Sequence, residues 1–295
     1  MEILNLIDYF VCPDCLSVGL DVGLRLQNNS VVCPNCSRVF YFKKYFIDLL
    51  PKKPRKKFGF PVRSIFKNYY FDQFKISPDQ VFVKPKSWGI YENLPLGYRV
   101  FLDEEKAILE NHYSPFSYLR ESFCDVSASN GFFAFSAAKY YKNIFFCDIN
   151  LEYLNYGMRL SRSLGIKNVF FVRCDMFSFP FRRGKLNAAI CTDTFVYYGV
   201  KNDLSVIEKI FSSVSKGGVL LFDIHYRRFY VRAKWIYEYS KDDVRFLKCK
   251  FNKIKTIGLG RVPTFFTPTR YLFKLFSKLL FFLPPIRLLC ILRKV

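Results

Sequence analysis

Three apolar runs in the middle of the chain each end in an aspartate. The runs span residues 122–124, 143–147 and 168–174, and the residues that close them are Asp125, Asp148 and Asp175. Helical patterns separate the runs, and strands that alternate with helices predict βαβ units and a parallel sheet. Because ligands bind beyond the carboxyl ends of such strands, we expect the three aspartates to border one crevice.

The turn after Asp125 consists of small residues. Residues 127–129 are Ser-Ala-Ser, Asn130 and Gly131 follow, and the apolar pattern predicts a helix through residue 139. Small side chains let the backbone approach a ligand closely, and a helix start offers free N–H groups and the positive end of its dipole. Asp125 can accept hydrogen bonds from a cationic or amino-bearing ligand. The pattern therefore predicts a ligand-binding turn.

Two further strands are predicted at residues 186–191 and 219–222, with a helix at 203–214 between them. If these strands join the same parallel sheet, the residues after them lie at the same edge as the three aspartates. Polar side chains occupy this region in both cases: Thr192, Asp193, Tyr197 and His225.

Four features thus occur in a fixed order: Asp125 with its small-residue turn, Asp148, Asp175 with Met176, and Lys216-Gly217-Gly218 before an apolar run. This order resembles the class I S-adenosylmethionine-dependent methyltransferases, in particular the type 11 group, over roughly residues 100–226. The resemblance implies an α/β fold, a Rossmann-like sheet with helices on both faces. The sequence departs from the family at two places, since serines replace two glycines of the turn and Leu-Asn replaces Phe-Asp at residues 186–187.

The resemblance also implies S-adenosylmethionine as the cofactor and assigns it a set of residues. Asp148 follows the turn by about twenty residues, the spacing at which an acidic side chain takes two ribose hydroxyls. An alternative role for Asp148 is to cap the helix that follows it. Asp175 and Met176 would lie along the adenine ring. The full set is Asp125, Ser127, Ser129, Asn130, Gly131, Asp148, Ile149, Asp175, Met176 and Thr192.

Methyl transfer from a sulfonium is an in-line displacement, so positioning and desolvation can supply most of the rate. A base is needed only where the acceptor atom carries a proton at the working pH. The candidates for that role are His225, Asp193 and Tyr197.

Near the N-terminus, four cysteines form two Cys-x-x-Cys pairs, Cys12 with Cys15 and Cys33 with Cys36. Their spacing is that of a four-thiolate zinc site. Four protein ligands complete a tetrahedron, so the zinc would be structural, and it would supply much of the folding free energy of a module of about 50 residues. Redox-active pairs or free thiols are the alternative.

A zinc ribbon followed by a methyltransferase resembles the ribosomal RNA guanine methyltransferases that carry a ribbon, and also small ribbon proteins that activate methyltransferases. In the RNA enzymes a histidine is expected in the second pair, whereas both pairs here are Cys-Cys.

The charge of the chain favours a polyanionic partner. Its net charge is +22, and residues 251–295 carry nine Lys and Arg but no Asp or Glu. A Pro-flanked basic run at residues 51–57 is either a solvated linker or an arm that contacts phosphates. The expected partners are RNA or an anionic membrane surface. Half of the residues are apolar and 19% are aromatic, which excludes global disorder.

The C-terminal tail is predicted to be helical, with a narrow basic stripe on a broad apolar surface. Such a helix suits a membrane interface, or packing against the domain or a second subunit. No apolar run reaches the ~18 residues of a spanning helix. Ten cysteines without a visible secretory signal indicate a reducing, cytoplasmic setting, with the tail as a possible peripheral membrane contact.

The sequence therefore predicts four segments: a zinc ribbon (1–51), a basic linker and lid (52–100), a class I methyltransferase domain (101–262) and a basic apolar helical tail (263–295). The first interpretation is a methyltransferase that acts on RNA. The alternatives are a methyltransferase for a lipid or prenylated small molecule at a membrane, and a non-catalytic scaffold that binds RNA or a protein partner.

Overall fold

The computed structural model describes residues 2–52, 103, 106–108, 110–111, 120–195, 200–226, 237–251, 254–259 and 287–295. Most of the predicted linker and lid, the candidate Tyr197 and tail residues 263–286 lie outside these described residues.

The N-terminal residues form short elements around the two cysteine pairs. A 3-10 helix (Ile3–Tyr9) precedes α1 (Pro13–Ser17). Five short strands follow: β1 (Arg25–Gln27), β2 (Ser30–Val32), β3 (Val39–Phe40), β4 (Phe42–Lys43) and β5 (Phe46–Asp48). The first three make a small antiparallel sheet, whereas β4 and β5 form a hairpin that joins the main sheet.

Within the described residues, the main sheet has nine strands in the order β11-β12-β10-β9-β6-β7-β8-β5-β4. Its strands after β5 are β6 (Arg120–Val126), β7 (Tyr141–Asp148), β8 (Val169–Arg173), β9 (Leu186–Phe195), β10 (Val214–His225), β11 (Ile254–Leu259) and β12 (Arg287–Arg293). The six strands from β10 to β5 run parallel to their neighbours. β12 is antiparallel to both β10 and β11.

Helices cover both faces of the sheet, as predicted. They are α2 (Phe132–Ala137), α3 (Leu151–Ser163), α4 (Val200–Ser213) and α5 (Lys241–Lys250). Alternate side chains of a strand point to opposite faces. Phe123 of β6 accordingly packs in one core with α2 and α3, while its neighbour Cys124 packs in the other with α4, α5 and the N-terminal elements. The prediction of a Rossmann-like α/β sheet is confirmed.

The cysteine-bearing N-terminal elements share the second core with the sheet. β5 extends the sheet parallel to β8. Farther along the chain, the Val11 N–H donates to the Pro180 carbonyl (3.0 Å) and the Arg182 N–H donates to the Tyr9 carbonyl (2.8 Å). Phe10 is fully buried between these contacts and packs edge-on against the rings of Phe145 in β7 and of Phe181. The N-terminal residues therefore form hydrogen bonds with both ends of the segment that runs from β8 to residue 182.

The prediction of a helical tail is wrong for its last part, because Arg287–Arg293 is a strand. β12 lies between β10 and β11 and is buried along most of its length. A strand covered on both faces reads as a continuous apolar run, and periodicity does not separate such a run from a buried helix.

Within the described part of the chain, no helix combines the length and the apolar composition needed to cross a bilayer. All ten cysteines lie in the described residues, and none forms a disulfide.

Candidate functional site

The structure brings the three predicted aspartates together at one edge of the sheet. Asp125 and Asp148 lie at the carboxyl ends of the adjacent strands β6 and β7, and Asp175 lies two residues beyond the end of β8. All three are buried, with 3%, 7% and 5% of their surface exposed. The order and register of the strands therefore place these three side chains, which are distant in sequence, in a single acidic cluster.

Two of these carboxylates hold the turn between β6 and α2. Asp125 Oδ2 accepts a hydrogen bond from the Ala134 N–H (2.8 Å), and Asp148 Oδ2 accepts one from the Ser129 N–H (3.0 Å). Asn130 Oδ1 accepts from the Phe132 N–H (3.0 Å). The turn is thus fixed from the strand side before any ligand binds.

Three residues of this turn have left-handed backbone conformations. The φ angles are +59° at Ser127, +49° at Ser129 and +75° at Gly131. The two serines therefore take a conformation that glycine adopts far more readily, at a cost of roughly 1–2 kcal/mol for each residue with a Cβ. The substitutions keep the path of the turn.

Replacing Ser129 by glycine is expected to stabilise the protein. The left-handed strain is removed, while the freer unfolded chain offsets about 0.5–1 kcal/mol of the gain. A rise in Tm of about 1–4 °C, measured by thermal unfolding, is the expected result. Ser129→Ala, which keeps a Cβ at the same φ, is the control. An equal rise in both variants would show that backbone strain is not the cause.

Burial changes the titration of the acidic cluster. Desolvation, together with the charge of Asp148, raises the pKa of Asp125 to about 8, although the hydrogen bond from the Ala134 N–H opposes the shift. Desolvation likewise raises the pKa of Asp148 to about 6, although three backbone N–H groups oppose it. A cation bound here would favour the ionised forms, so the cluster suits a positively charged ligand.

The remaining predicted cofactor residues lie around the cluster. Asp175 caps the 3-10 turn Met176–Ser178 by accepting from the Phe177 N–H (2.9 Å). Met176 faces the small-residue turn, since its sulfur lies 3.9 Å from Ser127 Oγ. Ile149 is exposed beside Asp148, and Thr192 is half-buried in β9. The helix cap proposed as an alternative role for Asp148 is made by Asn150, whose side chain accepts from the Glu152 N–H.

A second polar cluster lies at the ends of β9, β10 and β12. His225 Nε2 lies 3.8 Å from Asp193 Oδ1. Arg287 forms ion pairs with Asp193 (2.5 Å) and with Asp223 (2.8 Å). Two of the three predicted base candidates, Asp193 and His225, are therefore neighbours, whereas Tyr197 lies outside the described residues.

The sequence did not lead us to predict that Arg287 belongs to this cluster. The residue opens an apolar run that reads as tail, and only the pairing of β12 with β10 places it opposite His225. A single arginine at the start of an apolar strand was the available signal, since arginine is almost never fully buried without a partner.

The four N-terminal cysteines also converge. The Sγ atoms of Cys12 and Cys36 are 3.6 Å apart, as are those of Cys15 and Cys33, and all four lie within 4.8 Å of one another. Zinc–sulfur bonds of 2.3 Å in a tetrahedron give sulfur–sulfur distances of about 3.8 Å. The Asn35 side-chain amide donates to the Cys15 sulfur (3.4 Å), as expected beside a thiolate ligand. The donor set fits a zinc ion.

Residues 120–257 match the protein family described as a methyltransferase domain. The structure is similar to that of geranyl diphosphate C-methyltransferase from Streptomyces coelicolor A3(2), with a TM-score of 0.52 and 13% identity, covering 80% of this chain and 99% of the other. A geranyl diphosphate methyltransferase in complex with SAM gives a TM-score of 0.50 and 15% identity, covering 73% and 94% of the two chains.

At these identities the two solved structures establish the fold alone. No curated protein matches the sequence. The family match covers β6 to β10, which carry the three aspartates together with Asp193 and His225, whereas Arg287 of β12 lies outside it. Residues 120–257 are therefore similar in sequence to a methyltransferase domain, and the fold of the chain is the Rossmann-like methyltransferase fold.

Proposed function

We propose that the protein is an active methyltransferase that binds S-adenosylmethionine across the carboxyl ends of β6, β7 and β8. The observation that carries the proposal is the convergence of Asp125, Asp148 and Asp175 on one edge beside a left-handed turn. The bound sulfonium would supply an electrophilic methyl group. Asp148 would accept the ribose hydroxyls, Asp175 and Met176 would border the adenine, and Asp125 with the turn would lie near the cationic amino-acid part.

Binding of S-adenosylmethionine is expected to release protons at pH 6 and to tighten as the pH rises toward 8. At pH 6, Asp125 with a pKa of about 8 is almost fully protonated and Asp148 with a pKa of about 6 is half protonated, and a cationic ligand drives both to ionise. Calorimetry at pH 6 in two buffers of different ionisation enthalpy measures the protons released. Equal heats in the two buffers would contradict the assignment.

Asp125→Asn is the matched control, since its amide oxygen can still accept from Ala134 while it has no proton to release. The same groups affect the free protein. Because their pKa values in the fold lie above those in the unfolded chain, stability should fall as the pH rises from about 4 to 8.

For the methyl acceptor, RNA is the first candidate. The net charge of +22 and the basic runs at residues 51–57 and 251–295 support a phosphate-rich partner. A prenylated small molecule or lipid is the second candidate, because the two enzymes of similar fold are named for geranyl diphosphate. The two candidates share phosphate chemistry and differ in size and apolar character.

Transfer of a labelled methyl group into a fractionated cell extract separates these candidates. Label in the RNA fraction, weakened by rising salt, supports the first; label in the lipid fraction supports the second. A protein that binds the cofactor but labels no fraction of the extract, protein included, would support a non-catalytic scaffold. Asp148→Asn, which should bind the cofactor poorly, controls for labelling by contaminating enzymes.

We also propose that Cys12, Cys15, Cys33 and Cys36 hold a structural zinc ion. Four thiolates leave no open position for water or substrate, so the ion would contribute to folding rather than to chemistry. Elemental analysis of the purified protein is expected to find one zinc per chain. Its absence from protein prepared without chelators would count against the site.

A further inference from the structure

Arg287, the first residue of β12, lies at the edge of the sheet where the methyl acceptor would bind. β12 pairs with β10 so that Arg287 is opposite His225. Asp193 belongs to β9, three residues beyond Ile190, and Ile190 is opposite Asp125 in β6. The cluster of Asp193, His225 and Arg287 is therefore next to the acidic cluster that would hold the cofactor, on the side of β9 and β10.

The guanidinium of Arg287 bridges two carboxylates. Nη2 lies 2.5 Å from Asp193 Oδ1, and Nη1 lies 2.8 Å from Asp223 Oδ2. Arg287 and Asp223 are buried, with side-chain exposures of 4% and 1%, whereas Asp193 is 30% exposed. In this ion-pair network, Arg287 and Asp223 are buried, and the carboxylate of Asp193 is partly exposed to solvent.

The backbone of Asp193 is held by the same network. Its φ is +56°, a conformation that a residue with a Cβ rarely adopts and that persists only where the surroundings enforce it. The Asp193 N–H donates to Asp223 Oδ1 (2.7 Å), and Asp223 is in turn bonded to Arg287. Backbone and side chain of Asp193 are therefore both fixed through Arg287 and Asp223.

The charges in the cluster indicate what Asp193 could bind. Among the described residues, two carboxylates face one guanidinium, so this part of the edge suits a hydrogen-bond donor. The oxygens of Asp193 and Asp223 and the ring nitrogen of His225 are also close enough for a divalent cation. The positive charge of Arg287, already bonded to both carboxylates, opposes a cation at that point.

We propose that Arg287 is a positioning residue that holds the Asp193 carboxylate toward a methyl acceptor with a neutral hydroxyl or amine nucleophile. The inference rests on the proposed methyltransferase function. The acceptor oxygen or nitrogen forms a bond to the methyl carbon as the carbon–sulfur bond breaks, and the electron pair of that bond stays on sulfur. The proton of the acceptor passes to Asp193, with His225 3.8 Å away.

Two variants of Arg287 test the assignment. Removing the arginine alone would leave Asp223 buried without its partner, so Arg287→Met is combined with Asp223→Asn, whose amide oxygen can still accept from Asp193. Arg287→Lys is the conservative variant, since lysine keeps the charge but lacks the two-pronged geometry. Each variant is assayed by calorimetry with S-adenosylmethionine and by labelled-methyl transfer into the extract fraction that the wild type labels.

Lys294→Met is the matched control, at the residue that directly follows β12. Lys294 Nζ bonds the carbonyls of Ser212 (2.8 Å) and Val214 (2.6 Å) near the end of α4, far along β12 from Arg287. Its loss should lower stability without touching the polar cluster. Transfer is therefore compared per folded molecule in all variants.

In the double variant, transfer is expected to fall about 100-fold while the affinity for S-adenosylmethionine stays within about twofold of the wild type. Arg287→Lys should recover part of the loss, and Lys294→Met should transfer normally. Normal transfer in the double variant, or an equal loss in Lys294→Met, would overturn the role of Arg287 alone. A wild-type protein that transfers no methyl group would overturn both this role and the proposed function.

Discussion

Replacing Cys15 by serine is expected to unfold the N-terminal fifty residues and to weaken binding of S-adenosylmethionine as well. Structural zinc contributes about 10 kcal/mol or more to the folding of small modules, and one missing thiolate disrupts a tetrahedral site. Because the N-terminal elements share a core with the sheet, we expect the main unfolding transition to move to lower temperature too.

The effect on the cofactor follows from how the N-terminal elements hold the segment that carries Asp175. At its start, the Phe171 N–H donates to the Tyr45 carbonyl (2.7 Å). At its end, residues 180–182 bond to residues 9–11. Unfolding of the N-terminal elements removes both attachments, so the adenine side of the proposed site loses its support.

Zinc content, thermal unfolding and calorimetry with S-adenosylmethionine measure the three effects in one preparation. Cys249→Ser is the control, since Cys249 is exposed on α5 and outside the cluster. A Cys15→Ser protein that keeps its zinc would contradict the ligand assignment. If a protein that has lost its zinc and its N-terminal fold bound the cofactor with unchanged affinity, the result would contradict the claim that the N-terminal elements support the cofactor site.

Replacing Gly131 by alanine is expected to destabilise the protein by about 2–5 kcal/mol. The φ of +75° disfavours any Cβ, at about 1–2 kcal/mol. The new Cβ would also lie 2.3 Å from Phe146 Cε2 and 2.7 Å from Phe135 Cε2. Both rings are buried in the core, where overpacking costs typically 1–3 kcal/mol.

Gly165→Ala separates the two contributions. Gly165 has a similar φ of +67°, but a Cβ there would meet no atom within 4 Å. Thermal unfolding should show the smaller loss, about 1–2 kcal/mol, for this control. An equal loss of stability in the two variants would show that contact with the phenylalanine rings does not contribute to the effect of Gly131→Ala.

The parts of the fold that could be predicted from the sequence are those with local signals. Asp125, Asp148 and Asp175 each lie within two residues of the carboxyl end of a strand, so the order of the strands was enough to bring them together. The spacing within each Cys-x-x-Cys pair is also a local signal, because the two cysteines of a pair lie in one tight turn that needs no distant contact.

The parts that could not be predicted depend on contacts between distant segments. Nothing in the sequence near Arg287 indicates that its strand lies beside β10. Arg287 and its partner Asp223 in β10 are 64 residues apart along the chain. The pairing of β5 with β8 is equally non-local, so the cysteine-bearing residues were expected as a separate module. The left-handed serines are a third case, since serine gives no sequence signal for a positive φ.

Calorimetry of S-adenosylmethionine binding to the wild type and to Asp148→Asn tests the central claim most directly. The loss of a charged acceptor, worth about 1.5–3 kcal/mol, predicts binding that is weaker by about 10- to 100-fold in the variant. Asp242→Asn, an exposed carboxylate on α5, should bind as the wild type does. A wild-type protein that does not bind the cofactor, or an Asp148→Asn protein that binds it equally well, would contradict the claim that these strand ends form the cofactor site.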